Sequence, residues 1–118
     1  MIASACGVDF GTSNSTVAWI RPGQPALLAL EGEHRGLPSA IFFHDEDQEV
    51  SYGRAALADY LAGYDGRLMR AMKSLLGSSL IDSSTEVQGR MLPLRVMLTR
   101  FIAELKQRAE RDAGRSFT

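Results

Sequence analysis

The chain has 118 residues, 45% of them hydrophobic, enough for one domain with a filled core and too apolar for a disordered chain. A formal net charge of −1 supplies no global attraction to nucleic acid or to an anionic membrane, and no apolar stretch approaches the length of a membrane span, so neither partner is expected. The single cysteine, Cys6, excludes an internal disulfide and reads as a small core residue. Ala3-Ser4-Ala5-Cys6 superficially resembles a lipoprotein cleavage site but lacks the basic head and apolar core of a signal peptide, so a cytoplasmic protein is expected.

Two runs of strand-forming residues open the chain, at 5–10 and 15–20, separated by Gly11-Thr12-Ser13-Asn14, and predict a β-hairpin. The turn is chemically loaded. Gly11 lets a ligand approach the backbone, the amides that follow can point into the turn, and the Thr12 and Ser13 hydroxyls add donors, which is how a chain holds phosphate. Asp9, two residues before the glycine, can face a Mg²⁺ accompanying that phosphate, directly or through water. The same turn could instead be a plain hairpin loop whose polar side chains bond their own backbone, and local chemistry leaves both readings open.

Arg21-Pro22-Gly23-Gln24-Pro25 is a turn, and residues 26–30 are predicted as a third short strand, completing an antiparallel meander that steadies the hairpin. After a polar loop at 31–36, residues 37–44 and 49–53 predict a second hairpin around the acidic loop Asp45-Glu46-Asp47-Gln48. That loop lacks the glycine and distal glutamate of an EF-hand and reads as a solvated turn. His34 and His44 have no Cys or third His near them, so surface histidines are expected rather than metal ligands.

Ala55, Leu57, Ala58 and Leu61 recur at helical spacing and predict a helix over 54–61. A second helix is expected over 67–76, with Leu68, Met69, Met72, Leu75 and Leu76 on its apolar side and Gly77 at its end. Lys73 falls among these, and its plain reading is a lysine whose stem lies along that apolar side. Residues 77–88 have no clear period and read as a loop. The strongest helix signal spans 93–113, with Leu94, Met97, Leu98, Phe101, Leu105 and Ala109 spaced by three and four, Pro93 in the first turn and Gly114 as the stop. Its basic residues are interleaved with Glu104, Glu110 and Asp112, and Glu104 and Arg108 are spaced for an i,i+4 pair, so this face reads as solvated rather than as a nucleic-acid patch.

Val8-Asp9-Phe10-Gly11-Thr12-Ser13-Asn14-Ser15 followed by Val17-Ala18 resembles the first phosphate motif of the actin-like ATPases, in the form carried by the 70-kDa heat-shock chaperones, Ile-Asp-Leu-Gly-Thr-Thr-Asn-Ser. Leu37-Pro38-Ser39 with the apolar strand after it, and Tyr52-Gly53-Arg54-Ala55-Ala56, are similar to that family's Thr-Pro-Ser strand and Gly-x-x-Ala segment. Met72-Lys73-Ser74-Leu75-Leu76-Gly77 resembles its Lys-Arg-Leu-hydrophobic-Gly segment, which sugar kinases and actin-like filament proteins do not carry in this place. Ala113-Gly114-Arg115-Ser116-Phe117-Thr118 looks like the Leu-Gly-x-x-Val-Thr that precedes its next core strand. The compact loops and the residues Phe10 and Trp19 point to a divergent, YegD-like member of this DnaK-like family.

The resemblance implies an α/β chain of mixed α+β character, part of a ribonuclease-H-like, actin-like ATPase fold: a three-stranded antiparallel core meander plus a small peripheral subdomain with a hairpin and helices. Residues 1–36 and 90–118 would belong to the core and 37–89 to the periphery. By the family's pattern the chain stops where a fourth core strand should begin, so an N-terminal fragment of the nucleotide-binding domain is expected, with one strand edge open to self-association and little activity alone. The resemblance also implies ATP or ADP with Mg²⁺. Gly11, Thr12, Ser13 and Asn14 would hold the phosphates, Asp9 would serve the metal, and Lys73 with Asp9 would support cleavage of the terminal phosphate. Unfolded peptide clients and co-chaperones follow from the family alone. A nucleotide-binding regulatory or scaffold module that has lost hydrolysis, and a small-molecule (sugar) kinase on the same fold, are the alternatives.

Overall fold

The computed structural model describes residues 4–117. Strands β1 (Gly7–Phe10) and β2 (Asn14–Ala18) form the expected antiparallel hairpin, with Asp9 opposite Thr16 and Phe10 opposite Ser15. The third strand of this sheet is β3 (Leu37–Pro38), antiparallel to the start of β2.

Residues 26–30 do not form the predicted strand. They touch the end of β2 through one bridge, Ala18 to Leu27, with backbone hydrogen bonds from Trp19 N to Ala26 O (2.8 Å) and from Leu28 N to Val17 O (2.9 Å). The reason lies in where the next amides go: Ala29 N donates to the Asp112 carboxylate at 2.9 Å and Leu30 N to the His34 carbonyl at 2.8 Å, so neither is left for a ladder.

The predicted strand over 37–44 is one extended run divided at Ser39 between two sheets. Beyond Ser39 the chain continues as β4 (Ala40–His44), which pairs antiparallel on one side with β5 (Val50–Tyr52) and on the other with β6 (Gly66–Arg70). Both faces of β4 are covered. Ile41 and Phe43 join the main core, whereas Ala40 and Phe42 pack with Ala56 and Leu57 of α1 (Arg54–Leu61) and with Leu68. The N-terminus of α1 is closed by Glu31, whose carboxylate accepts from the Arg54 backbone N–H at 2.9 Å and pairs with the Arg54 guanidinium at 2.9 Å.

The helix expected over 67–76 is corrected. Its first half is strand β6, and its second half is a short 3-10 helix, Met72–Leu75. Because β6 is covered on both faces, with Leu68 toward α1 and Met69 toward the main core, its apolar residues are adjacent instead of alternating. Adjacent apolar residues followed by Met72 and Leu75 imitate helical spacing. The loop expected over 77–88 contains a second 3-10 helix, Ser79–Asp82, and most of a hairpin, β7 (Ser84–Val87) with β8 (Arg90–Pro93), turned by Gln88 and Gly89 at φ of 51° and 79°.

Helix α2 (Leu94–Ala113) runs as expected, burying Met97, Leu98, Phe101, Leu105 and Ala109 against the first sheet. Glu104 and Arg108 make the anticipated pair at 2.7 Å. His44 is not the surface residue that was expected. Its imidazole is largely buried beside the rings of Phe42 and Tyr64, and its Nε2 lies 2.8 Å from the Asp59 carboxylate, which also accepts from the Ser51 hydroxyl at 2.8 Å.

Candidate functional site

The hairpin tip is held by its backbone. Gly11 N donates to Asn14 O at 3.0 Å, and a Cβ at position 11 would collide with that carbonyl, so only glycine closes this turn unstrained. Ser39, the residue between β3 and β4, grips the tip from the side. Its N–H donates to Ser13 O at 2.9 Å, its hydroxyl donates to Gly11 O at 3.0 Å, and its Oγ lies 2.8 Å from Ser15 Oγ. Both serines are buried, at 0% and 1% exposure, so their mutual hydrogen bond is what makes two hydroxyls tolerable inside the core.

With the Gly11, Ser13 and Asn14 carbonyls bonded in this way, the side chains of Thr12, Ser13 and Asn14 are exposed and make no hydrogen bond to another described residue. They line a cavity of about 330 Å³ together with Pro38, Ser39, Ala40, Leu57, Arg70 and Ala71. Among the described residues no carboxylate lines it.

The structure therefore gathers Thr12, Ser13 and Asn14 at one cavity, with Gly11 shaping the turn behind them. Asp9 is exposed on β1, opposite Thr16, and is not among the cavity's lining residues. Lys73 is also outside the lining. It is an exposed residue of the 3-10 helix, flanked by the buried Met72 and Leu75, two residues beyond the cavity wall at Ala71.

Two residues at the site carried no functional role in the sequence reading. Ser39 had a signal, since it lies in the Leu-Pro-Ser segment, but nothing local tells that its side chain reaches back 24 residues to Ser15. Arg70 had none, because a single sequence does not show which strand it would pair with.

The sequence model of the Hsp70 protein family matches residues 5–112. Among curated relatives, the chain is 35% identical over 79 residues to chaperone protein HscA of Photorhabdus laumondii, covering 66% of this chain and 12% of that protein. It is 37% identical over 78 residues to the HscA homolog of Pasteurella multocida, covering 66% and 12%. The figures for HscA of Citrobacter koseri are 35% over 81 residues, 69% and 13%. The chain thus spans about an eighth of the length of these relatives. A family match over nearly the whole chain, joined to the hairpin, the Leu-Pro-Ser segment and the long closing helix, shows that this chain belongs to the Hsp70 protein family.

Proposed function

We propose that the chain forms the phosphate-binding wall of an Mg-ATP site in a chaperone-type ATPase. The observation that carries this is the division of labour at the hairpin tip. Ser39 takes up the Gly11 and Ser13 carbonyls, and the donors of Thr12, Ser13 and Asn14 are left at a cavity that no carboxylate among the described residues lines. A plain hairpin loop would spend those side chains on its own backbone.

The donor set fits the group. Two hydroxyls and an amide beside a glycine turn suit phosphate oxygens, and Gly11 lets that turn close against the Asn14 carbonyl. Asp9 would hold the Mg²⁺, and Lys73 would stabilise charge on the terminal phosphate and place the attacking water. The bound nucleotide would supply the anhydride whose cleavage drives a chaperone cycle. The residues of this chain orient its phosphates and offset their charge. One wall by itself would hold a nucleotide weakly, because small-molecule sites bury most of their ligand.

A second reading has an observation in its favour: Asp9 and Lys73 both stand outside the cavity lining, as they would in a module that binds nucleotide without hydrolysing it. Isothermal titration with Mg-ATP, followed by phosphate-release assays of wild type and Lys73→Ala with and without sugars, all in the full-length protein that carries this chain, separates the readings. Binding in wild type with hydrolysis lost in Lys73→Ala supports the ATPase. Binding without turnover in either supports the module, and formation of a sugar phosphate would move the chain to the kinases. Absence of any Mg-ATP binding would end the proposal.

A further inference from the structure

We infer that Arg70, with the hairpin tip, forms a clamp for the terminal phosphate of a polyphosphate ligand. The inference rests on the phosphate-binding reading of the tip and adds to it a cation that the tip itself lacks.

Arg70 is fixed next to the tip by two separate constraints. As the last residue of β6 it lies directly opposite Ala40, the residue after Ser39, so the strand register that builds the second sheet also sets Arg70 beside the clamp on Gly11 and Ser13. The following residue, Ala71, is left-handed at φ 57° and ψ 34°, which turns the chain off β6 at once. A residue with a side chain disfavours that conformation, so the surroundings must impose it. Here they do: the Ala71 carbonyl accepts from Ser74 N at 3.2 Å and from the Ser74 hydroxyl at 2.9 Å, while Met72 is buried in the main core.

The charge of Arg70 is uncommitted. Arg54, Arg95, Arg108 and Lys106 each pair with a carboxylate, whereas Arg70 makes no ion pair or side-chain hydrogen bond with any described residue. Among the described residues it is the only charged one lining the cavity. The buried lining residues Pro38 and Ala40 limit solvent on one side, which strengthens attraction between a guanidinium and an anion. A guanidinium opposite hydroxyl and amide donors matches a phosphate group, which it can hold through two parallel hydrogen bonds. The cavity volume of about 330 Å³ is at the lower end of the range for small-ligand sites and suits a phosphate chain better than a whole nucleotide.

The test uses the intact protein and two probes, Mg-ATP and inorganic tripolyphosphate, which has neither base nor sugar, titrated calorimetrically into wild type, Arg70→Ala, Arg70→Lys and the double variant Thr12→Ala with Ser13→Ala. Loss of a charge-assisted hydrogen bond should weaken both probes about tenfold or more in Arg70→Ala. Arg70→Lys should recover part of that affinity, and the thermal midpoint should stay at the wild-type value because no internal partner is lost. If the double variant loses binding while Arg70→Ala keeps it, the hairpin reading stands and the Arg70 clamp is wrong. If wild type binds neither probe, or no variant alters binding, both fall. A lowered midpoint accompanying the weaker binding in Arg70→Ala would make the residue structural and would also overturn the clamp.

Discussion

At the scale of single residues, the site depends on Ser39 more than on any residue of the turn itself. A hydroxyl buried to 1% exposure is retained because it joins Gly11 O and Ser15 Oγ, and because the adjoining N–H reaches Ser13 O. Ser39→Ala removes the bond to Gly11 and leaves the Ser15 hydroxyl, at 0% exposure, without its partner. An unsatisfied buried polar group costs about 1–3 kcal/mol, so urea denaturation should show a loss in that range. The double variant Ser15→Ala with Ser39→Ala should lose less than the sum of the two single losses, since the orphaned hydroxyl is then gone as well. Strict additivity, or a single-variant effect within the roughly 0.5 kcal/mol typical of surface positions, would mean that the two serines do not act as a pair. The side chains of Thr12, Ser13 and Asn14 are in the opposite condition, exposed and without internal partners, so their substitution should register in binding and scarcely in stability.

At the scale of elements, β6 is the strand that brings Arg70 to the cavity, and its start is fixed by Gly66. A Cβ at that position would collide with the Phe43 carbonyl and crowd the Phe42 ring, both on the facing strand. Gly66→Ala should therefore push β6 away from β4 and carry Arg70 out of register. The expected result is a destabilisation of more than 1 kcal/mol in denaturant, together with loss of hydrogen-exchange protection along 66–70. Protection like that of wild type would show that the strand accommodates the methyl group. This strand is also where the sequence was least legible. Hairpin β1–β2 and helix α2 could be read because each presents one face to the core and one to water, so Val17 and Thr16 alternate, and Phe101, Leu105 and Ala109 repeat every fourth residue. Strand β6 has core on both faces, which removes alternation, and the left-handed Ala71 that ends it is a conformation no propensity assigns to alanine. The β7–β8 hairpin was more readable than it was taken to be: Thr85 and Val87 point inward on alternate positions before a Gln-Gly turn. At the site, the hairpin chemistry was local and visible, while the grip of Ser39 and the position of Arg70 follow from strand register, which a single sequence does not display.

At the scale of the whole molecule, the end of the described chain returns to its beginning, and a single carboxylate governs that return. Past α2 the backbone reverses at Gly114, and Phe117 N donates to the Glu110 carboxylate at 2.8 Å. The Phe117 ring, only 6% exposed, then meets Trp19 edge to face at 5.5 Å, just beyond the last residue of β2. Glu110 titrates below the usual carboxylate range, first because the Phe117 N–H bonds the charged form and second because Lys106 lies 3.1 Å away. A carboxyl whose folded pKa is depressed contributes stability that is complete above its unfolded value, here about 4.5, and is lost as pH falls through the folded value. The Trp19–Phe117 contact should accordingly be insensitive to pH between neutrality and about 5, then open on further acidification. Trp19, the only tryptophan, reports it directly as a shift of fluorescence toward the solvent-exposed wavelength. Glu110→Gln can still accept from the Phe117 N–H but no longer carries the charge, so the acid transition attributable to this group should vanish from its titration. If the Trp19 signal of the wild type is flat down to pH 3, or if Glu110→Gln keeps the same transition, another group holds the chain's end, and the most suitable is Asp112, whose carboxylate ties α2 to the Ala29 amide at 2.9 Å.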